Sequence, residues 1–233
     1  MAYAVDNEQS FLTRVARALG RDKPLTISPN RDEVGPPAFW REQKFESDEP
    51  LAFFKRNLEA LTGKVAVVHN GKEANQQIKL WLKILNAKAV IMWDHPELKE
   101  HIRLEETGIK VDYWSPARGR ELSKVAEQAD VGITWVDYAI GYTGTLALFS
   151  SPTQGRLVSL LPPTHIAVFR KSNLVPTMSA VISRLNDQHK AGRLPSAVEF
   201  ITGPSRTSDI EMDLSIGVHG PSKVWTVVID EDV

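Results

Sequence analysis

Two short segments of the sequence bring hydroxyl side chains next to glycine. The first contains Tyr142, Thr143, Gly144 and Thr145, and the second contains Gly203, Ser205, Arg206, Thr207 and Asp209. A glycine between hydroxyl residues lets backbone N–H groups approach a phosphate or a carboxylate closely. Both segments are therefore predicted to bind a small anion. The alternative for the first segment is an ordinary tight turn.

The second segment is predicted to begin a short helix. Its Gly-Pro turn precedes Ser205, and the N–H groups at a helix start attract negative charge, to which Arg206 adds a positive one. The alternative is a plain N-cap by Ser205 or Ser208, with Arg206 paired to a neighbouring acid. Both interpretations use the same groups, so the residue pattern leaves them open.

Further polar residues flank the predicted strands. His165 follows the rigid run Pro162-Pro163-Thr164, and its imidazole is a candidate ligand contact at the edge of the sheet. The alternative is a hydrogen-bonding loop residue. The segment Gln154-Gly155-Arg156 is predicted to be a polar turn. His219-Gly220 is predicted to cap the end of a final helix, with Gly220 left-handed.

The sequence lacks the common catalytic and metal-binding signatures. It has no cysteine and six histidines, none of them in an HxH or HExxH spacing. We therefore predict no metal and no thiolate-held cofactor in this chain. A GxSxG elbow, a Walker loop and a GxGxxG fingerprint are also missing. No catalytic residue is assigned, and any redox centre is expected in a partner.

The composition predicts an ordinary globular protein. Of 233 residues, 42% are hydrophobic and 24% are charged, with a formal net charge of -1. That balance provides no basic surface for nucleic acid. No stretch approaches the ~18 apolar residues of a membrane span, and charged residues interrupt the N-terminus where a signal peptide would be apolar. We expect a cytoplasmic protein.

The elements that position these residues are predicted to form an arm and a core domain. A helix from about Asn7 to Leu19 and a proline-rich stretch reaching Pro50, pinned by Phe39 and Trp40, make up the arm. A second helix over residues 51–61 follows it. We place the arm at residues 1–62 and the core α/β domain at residues 63–233.

Strands alternate with helices through the first half of the core domain, which predicts a parallel sheet. Strands are expected at 65–68, 89–93, 109–113, 131–134, 146–149, 157–161, 166–169, 198–201 and 224–229. Helices are expected at 74–85, 135–140 and 174–189. Only turns separate the strands between 146 and 169, so this block is predicted to include antiparallel pairing.

Three stretches of the chain resemble the LUD-domain family. They run from Gly132 to Pro163, from Ile201 to Glu211 and from Gly217 to Pro221, and the opening Phe11 to Arg21 is also similar to the start of such proteins. The resemblance implies a three-layer α/β/α fold like that of NagB, RpiA and the CoA transferases. It further implies a mixed, mostly parallel sheet with an N-terminal helical arm.

The resemblance also implies a role in L-lactate utilisation, supporting oxidation of L-lactate to pyruvate. It implies an iron–sulfur partner that holds the Fe–S cluster and a second oxidoreductase-like subunit. This chain would be a non-redox subunit or accessory factor that binds a small anionic metabolite. The alternatives are an independent CoA-transferase-like or phosphosugar-isomerase-like enzyme, and a scaffold that docks through the arm.

Tyr142 departs from the family pattern, which has an acidic residue directly before Thr-Gly-Thr. A tyrosine has an unperturbed pKa of ~10, so it cannot replace a carboxylate as nucleophile or base near pH 7. A glutamyl mechanism of the CoA-transferase kind is therefore disfavoured in this chain.

Overall fold

The computed structural model describes residues 2–27, 49–208 and 214–231. The chain forms two compact units, residues 1–44 and 45–233. In the first unit, helix α1 (Ala2–Ala18) begins earlier than predicted. Gly20 follows it with a left-handed φ of 71°, which confirms this glycine as the terminator. Phe39, Trp40 and most of the predicted proline-rich arm lie outside the described residues.

The second unit alternates helices with strands. Its helices are α2 (Glu49–Ala60), α3 (Gly71–Ile84), α4 (Pro96–His101), α5 (Glu121–Gln128), α6 (Leu157–Leu160) and α7 (Met178–Lys190). Its strands are β1 (Lys64–Val68), β2 (Ala89–Trp93), β3 (Lys110–Trp114), β4 (Val131–Trp135), β5 (Tyr138–Ile140), β6 (Thr145–Phe149), β7 (Thr164–Arg170), β8 (Leu174–Val175), β9 (Val198–Ile201), β10 (Arg206–Ser208), β11 (Leu214–Ile216) and β12 (Lys223–Ile229). Short 3-10 turns lie at Glu105–Thr107, Pro116–Arg118 and Lys171–Asn173.

Six parallel strands form the central sheet, in the order β1-β12-β7-β4-β2-β3. Strands β2, β4, β7 and β12 are buried along almost their whole length. Such continuous apolar runs are typical of a parallel sheet that is covered on both faces. A mainly parallel central sheet packed with helices confirms the predicted α/β fold class.

The strand order determines where the helices lie. The chain crosses from β1 to β2 and β3, and from β3 it returns through β4 and β7 to β12. Right-handed crossovers then place α3 and α4 on one face of the sheet and α5 and α6 on the other. Accordingly, α3 contacts α4, and α5 contacts α6. The carboxyl ends of all six strands meet at one edge.

A second sheet of four strands, in the order β8-β5-β6-β9, carries the first glycine segment. β6 pairs antiparallel with β5 and β9, whereas β5 and β8 are parallel. The predicted antiparallel pairing is therefore confirmed for β6. Strand β7 of the same block lies instead in the parallel sheet, between β4 and β12. An apolar run that is buried on both faces fits either kind of pairing, so the sequence does not decide between them.

Two elements predicted around the second sheet are wrong in type. Residues 157–161, predicted as a strand, contain helix α6, in which Val158 and Ser159 are fully buried. A short apolar run fits a buried helical turn as well as a strand. Residues 135–140, predicted as a helix, end β4 and form β5. Their aromatic and β-branched residues favour extended structure.

The predicted helix over residues 174–189 begins later than expected. Leu174 and Val175 form β8, and α7 starts at Met178. Pro176 explains the difference, because the residue before a proline is disfavoured in helical conformation.

No helix follows Ser205 in the described part of this region, so the prediction of one is wrong. Strands β10 and β11 form an antiparallel pair instead. Ser205, which precedes β10, links this strand pair to the residues that follow it. Its N–H donates to the Pro221 carbonyl and its carbonyl accepts from the Gly217 N–H, both at 2.9 Å. Gly217, and not Gly220, is left-handed, with φ of 82°. His219 and Gly220 therefore do not cap a helix as predicted.

Helix α2 belongs to the second unit, which starts at residue 45. The domain boundary predicted after residue 62 stays a prediction. Across the described ranges, none of the helices has both the length and the apolar character needed to cross a membrane.

Candidate functional site

The two glycine segments lie side by side at one end of the second sheet. Thr145 begins β6 and Thr202 follows β9, its antiparallel neighbour, and their hydroxyl oxygens are 2.8 Å apart. Thr143 Oγ1 lies 2.7 Å from Thr145 Oγ1. The result is a chain of three hydrogen-bonded hydroxyls. Thr143 and Thr202 are exposed, and Thr145 is buried between them.

Helix α2 packs directly against both segments. Gly144 has φ of 65°, and a Cβ atom there would lie 2.7 Å from the backbone nitrogen of Leu58. A Cβ atom on Gly203 would lie 3.0 Å from the Cβ of Leu61. Asn57 donates from Nδ2 to the carbonyl oxygen of Tyr142 at 2.7 Å. Glycine is required at position 144 because the turn and the helix backbone approach so closely.

Three backbone donors of these segments bond within the protein. The N–H groups of Tyr142, Gly144 and Ser205 donate to the carbonyls of Pro176, Gly141 and Pro221 at 3.0, 3.2 and 2.9 Å. A ligand at this surface would therefore meet the exposed hydroxyls of the segments before it met these amides.

Arg206 caps the end of α2. Its Nη2 donates to the carbonyl oxygen of Leu61 at 2.7 Å and to Thr62 Oγ1 at 3.4 Å. The carboxyl end of a helix carries partial negative charge, so the positive charge of Arg206 at that end is stabilising. Thr207 pairs with Ser215 in the β10–β11 ladder. Asp209 lies outside the described residues, and ligand binding by both segments stays a prediction.

His165 lies inside the central sheet. It is fully buried in β7, and its Nε2 lies 2.8 Å from Thr134 Oγ1. Burial lowers the pKa of His165 to about 3, so the imidazole is neutral at physiological pH. The side chain is part of the core and does not extend to a ligand at the edge of the sheet, because β7 already begins at Thr164.

A network of charged side chains that no sequence motif marks lies at the carboxyl edge of the central sheet. Arg170, the last residue of β7, donates from Nε to Glu97 and from Nη2 to His101 Nε2, each at 2.9 Å. Its Nη1 pairs with Glu231. We call Glu97, His101, Arg170 and Glu231 the carboxyl-edge network. The available signal was weak: Arg170 ends β7, and Glu97 and Glu231 lie a few residues after β2 and β12, whose carboxyl ends share that edge.

A group of possible metal ligands within the described residues overlaps this network. The ligand atoms of Glu97, Glu100 and His101 all lie within 4.8 Å of one another. However, the guanidinium of Arg170 contacts both Glu97 and His101 at 2.9 Å. Its positive charge repels a cation from that position. The group is therefore better suited to holding Arg170 than a metal ion.

Asp137 is a candidate for proton transfer that the sequence analysis did not single out. It follows β4, and its Oδ2 accepts the backbone N–H of Phe149 at 2.7 Å. Burial raises the pKa of Asp137 from 3.8 to about 6, although this hydrogen bond opposes the shift. A carboxyl that titrates near neutrality is suited to proton transfer. No sequence signal marks it, because the shift arises from the surrounding fold.

Residues 51–229 match a family profile described as the LUD domain. This chain belongs to the LUD-domain family. The matched range begins in α2 and ends with β12, so the LUD domain includes both glycine segments, Asp137 and most of the carboxyl-edge network. Helix α2, against which both glycine segments pack, is therefore part of the LUD domain.

Relatives of this LUD-domain chain are similar to it along nearly its whole length. A protein named Lactate utilization protein C from Halalkalibacterium halodurans is 34% identical, covering 97% of this chain and 99% of that protein. Another of that name from Shouchella clausii is 35% identical, again covering 97% and 99%. A crystal structure of a DUF162 family protein from Deinococcus radiodurans has a TM-score of 0.59 and 22% identity, covering 80% of this chain and 99% of that one. The structural likeness shows a shared fold.

Proposed function

We propose that this LUD-domain protein is a cytoplasmic component of the machinery that oxidises L-lactate to pyruvate. One observation carries the proposal: 34% and 35% identity, over 97% of the chain, to proteins named Lactate utilization protein C. Similarity along the whole chain supports a shared role more strongly than a shared fold does, because one fold hosts many functions.

We propose further that the electrons leave through a partner. Oxidation of L-lactate to pyruvate removes two electrons and two protons from the alcohol carbon and its oxygen. This chain has no cysteine, so it has no thiolate with which to hold an iron–sulfur cluster. In this proposal an iron–sulfur subunit accepts the electrons together with a second oxidoreductase-like subunit. This chain acts as a non-redox subunit or accessory factor.

The glycine segments are the proposed contact for the small anionic metabolite. Thr143 and Thr202 present exposed hydroxyls, and Thr145 links them through bonds of 2.7 and 2.8 Å. The two bonds use two of the three hydroxyl protons, so one O–H remains to donate to a carboxylate such as that of L-lactate or pyruvate. The fixed chain of hydroxyls supports binding because its geometry exists before a ligand arrives.

Deletion of the gene, followed by growth on L-lactate or on pyruvate as the sole carbon source, tests the role. The proposal expects loss of growth on L-lactate, normal growth on pyruvate and restoration by the wild-type gene. A tagged wild-type protein should also capture an iron–sulfur protein from lactate-grown cells. Normal growth on L-lactate with no iron–sulfur protein captured would rule the role out.

Complementation with a double variant tests the proposed site within the same experiment. Thr143→Ala combined with Thr202→Ala removes both exposed hydroxyls and leaves Gly144 and α2 in place. We expect slow growth on L-lactate with normal protein abundance. As a matched control, Ser183→Ala removes an exposed hydroxyl from α7 and should restore growth fully.

A further inference from the structure

A polar groove lies at the end of β6 opposite the glycine segments. Two adjoining hollows, of about 430 and 420 Å³, share the walls formed by Ser150, Ser151, Gln154 and Ser196. Each hollow has the volume of a small-molecule site. Because β6 separates this groove from Thr143 and Gly144, the two places would bind ligands independently.

The first hollow is lined by apolar and by polar side chains, which we call its apolar wall and its polar wall. The apolar wall consists of Trp114, Leu157 and Leu160, and the polar wall includes Arg156 together with the shared serines. A ligand with a short carbon chain and one charged end matches this arrangement, because each part meets its own kind of surface. An inorganic anion would leave the apolar wall unused.

Arg156 is held so that its outer N–H groups face the solvent. Its Nε donates to Glu199 at 2.8 Å, while 56% of its side chain stays exposed. Glu199 also accepts from Ser159 Oγ at 3.0 Å. Arginine has five N–H donors, and among the described residues only the Nε bond engages them. The guanidinium is therefore fixed, with its Nη donors available to a ligand.

Arg193 supplies a second positive charge to the groove. It lines the second hollow with Gln188 and forms no ion pair with any residue in the described part of the chain. Glu199 offsets the charge of Arg156, so Arg193 leaves the groove with an excess of one positive charge. That excess favours an anion over a neutral ligand.

The groove is preformed by backbone hydrogen bonds. Ser151 and Gln154 exchange N–H to carbonyl bonds of 3.3 and 3.0 Å, which closes the loop between them. Trp93 Nε1 donates to the carbonyl of Gly155 at 2.9 Å, and Ser150 N–H donates to Ala197 at 3.0 Å. Ser150 Oγ is buried beside both hollows and has no hydrogen-bond partner among the described residues. Rotation about its Cα–Cβ bond redirects this hydroxyl without breaking a hydrogen bond to any of the described residues.

We propose that this groove binds a small organic carboxylate, which we call the groove ligand. Its carboxylate meets the Nη donors of Arg156, and its carbon chain lies against Trp114, Leu157 and Leu160. Arginine recognises carboxylates through two parallel hydrogen bonds, which fixes the orientation of the ligand. The proposal rests on the groove alone and does not depend on the role in L-lactate oxidation.

Isothermal titration calorimetry of the full chain tests the proposal with three probes: pyruvate, a branched longer 2-oxo acid and inorganic phosphate. Saturable binding is expected for both carboxylates. The longer acid should bind more tightly, because it covers more of the apolar wall. Phosphate should bind more weakly than either. A phosphate preference, or no saturable binding of either carboxylate, would overturn the proposal.

Three variants locate the binding. Arg193→Gln should weaken binding of the longer acid about tenfold, which matches the loss of a charge-assisted contact. Lys124→Gln removes the same charge from the exposed side of α5 and should leave affinity unchanged. Arg156→Lys keeps a cation beside Glu199 but loses the planar fork, so it should weaken binding while the thermal unfolding midpoint stays close to that of wild type.

Variants of the glycine segments test whether the carboxylate binds there and not in the groove. If Thr143→Ala with Thr202→Ala lowers carboxylate affinity and Arg193→Gln does not, the ligand lies at the segments and the groove proposal is wrong. Equal losses in Arg193→Gln and Lys124→Gln would also reject it, because they would reflect net charge and not a site.

Discussion

At the scale of single residues, burial shifts two titratable groups toward their neutral forms with different consequences. His165 is completely enclosed, and its pKa falls to about 3. Asp137 is only partly buried at the end of β4, and its pKa rises to about 6. The histidine is therefore a neutral core residue at all physiological pH values. The aspartate changes charge close to neutrality, so it is the better candidate for proton chemistry.

Asp137→Asn should stabilise the protein at high pH only. Between pH 3.8 and about 6 the folded state binds more protons than the unfolded state, so stability falls as pH rises through this window. Asparagine keeps an acceptor for the Phe149 N–H and carries no charge. We expect a gain of about 1–2 kcal/mol at pH 8 and little difference at pH 4, measured by urea unfolding. The same gain at both pH values would contradict this explanation.

Gly144→Ala should destabilise the protein by about 2–4 kcal/mol, since it adds left-handed strain and a clash with the Leu58 backbone. Gly192→Ala is the matched control, because Gly192 has a similar φ of 67° but no atom within 4 Å of the position that its added Cβ would occupy. The control should lose only about 1 kcal/mol. Chemical denaturation of both variants checks the difference, and equal losses would mean that contact with α2 is unimportant.

At the scale of elements, the agreement between sequence and structure depends on how strongly each pattern repeats. Helix α3 is found where its periodicity predicts it, and strands β1 and β2 are found at the short apolar runs that alternate with predicted helices. Short apolar runs such as residues 157–161 carry no period, and their type is decided by packing against the sheet. The sequence also indicates both glycine segments, but not that α2 packs against them. That contact joins residues far apart in the chain, so no local pattern reports it.

Arg170→Met should cost about 1–3 kcal/mol, because the carboxyl-edge network would keep Glu97 and Glu231 without their shared cation. Arg170→Lys should recover only part of this loss, since an ammonium cannot reproduce the forked contacts. Lys110→Met is the control: its pair with Asp112 spans 3.4 Å and the lysine side chain is 72% exposed. That exposed pair should contribute about 0–1 kcal/mol. Thermal and urea unfolding distinguish the three variants.

At the scale of the whole molecule, the chain divides unevenly. Residues 1–44 form one unit, whereas residues 45–233 contain both larger sheets, the glycine segments and the polar groove. The hydrophobic core runs continuously from Phe54 to Ile229 within the second unit. A core of this size is expected to fold without help from the first unit.

Removal of residues 1–44 should leave the remaining chain cooperatively folded. We expect its calorimetric unfolding midpoint to lie within about 4 °C of the full chain, because a small loss of stability shifts the midpoint of a domain of this size by a few degrees. The truncated chain should also keep its affinity for the groove ligand. Loss of cooperative unfolding would show that the first unit completes the core.

The position of β12 has a consequence for synthesis on the ribosome. Strand β1 is at an edge of the central sheet, and its neighbour there is β12, near the other end of the chain. During translation β1 therefore emerges long before the strand that covers it, and its apolar residues stay open to wrong pairings. Such distant pairing slows folding. Demand for chaperones in the cell should therefore be greatest before β12 is released.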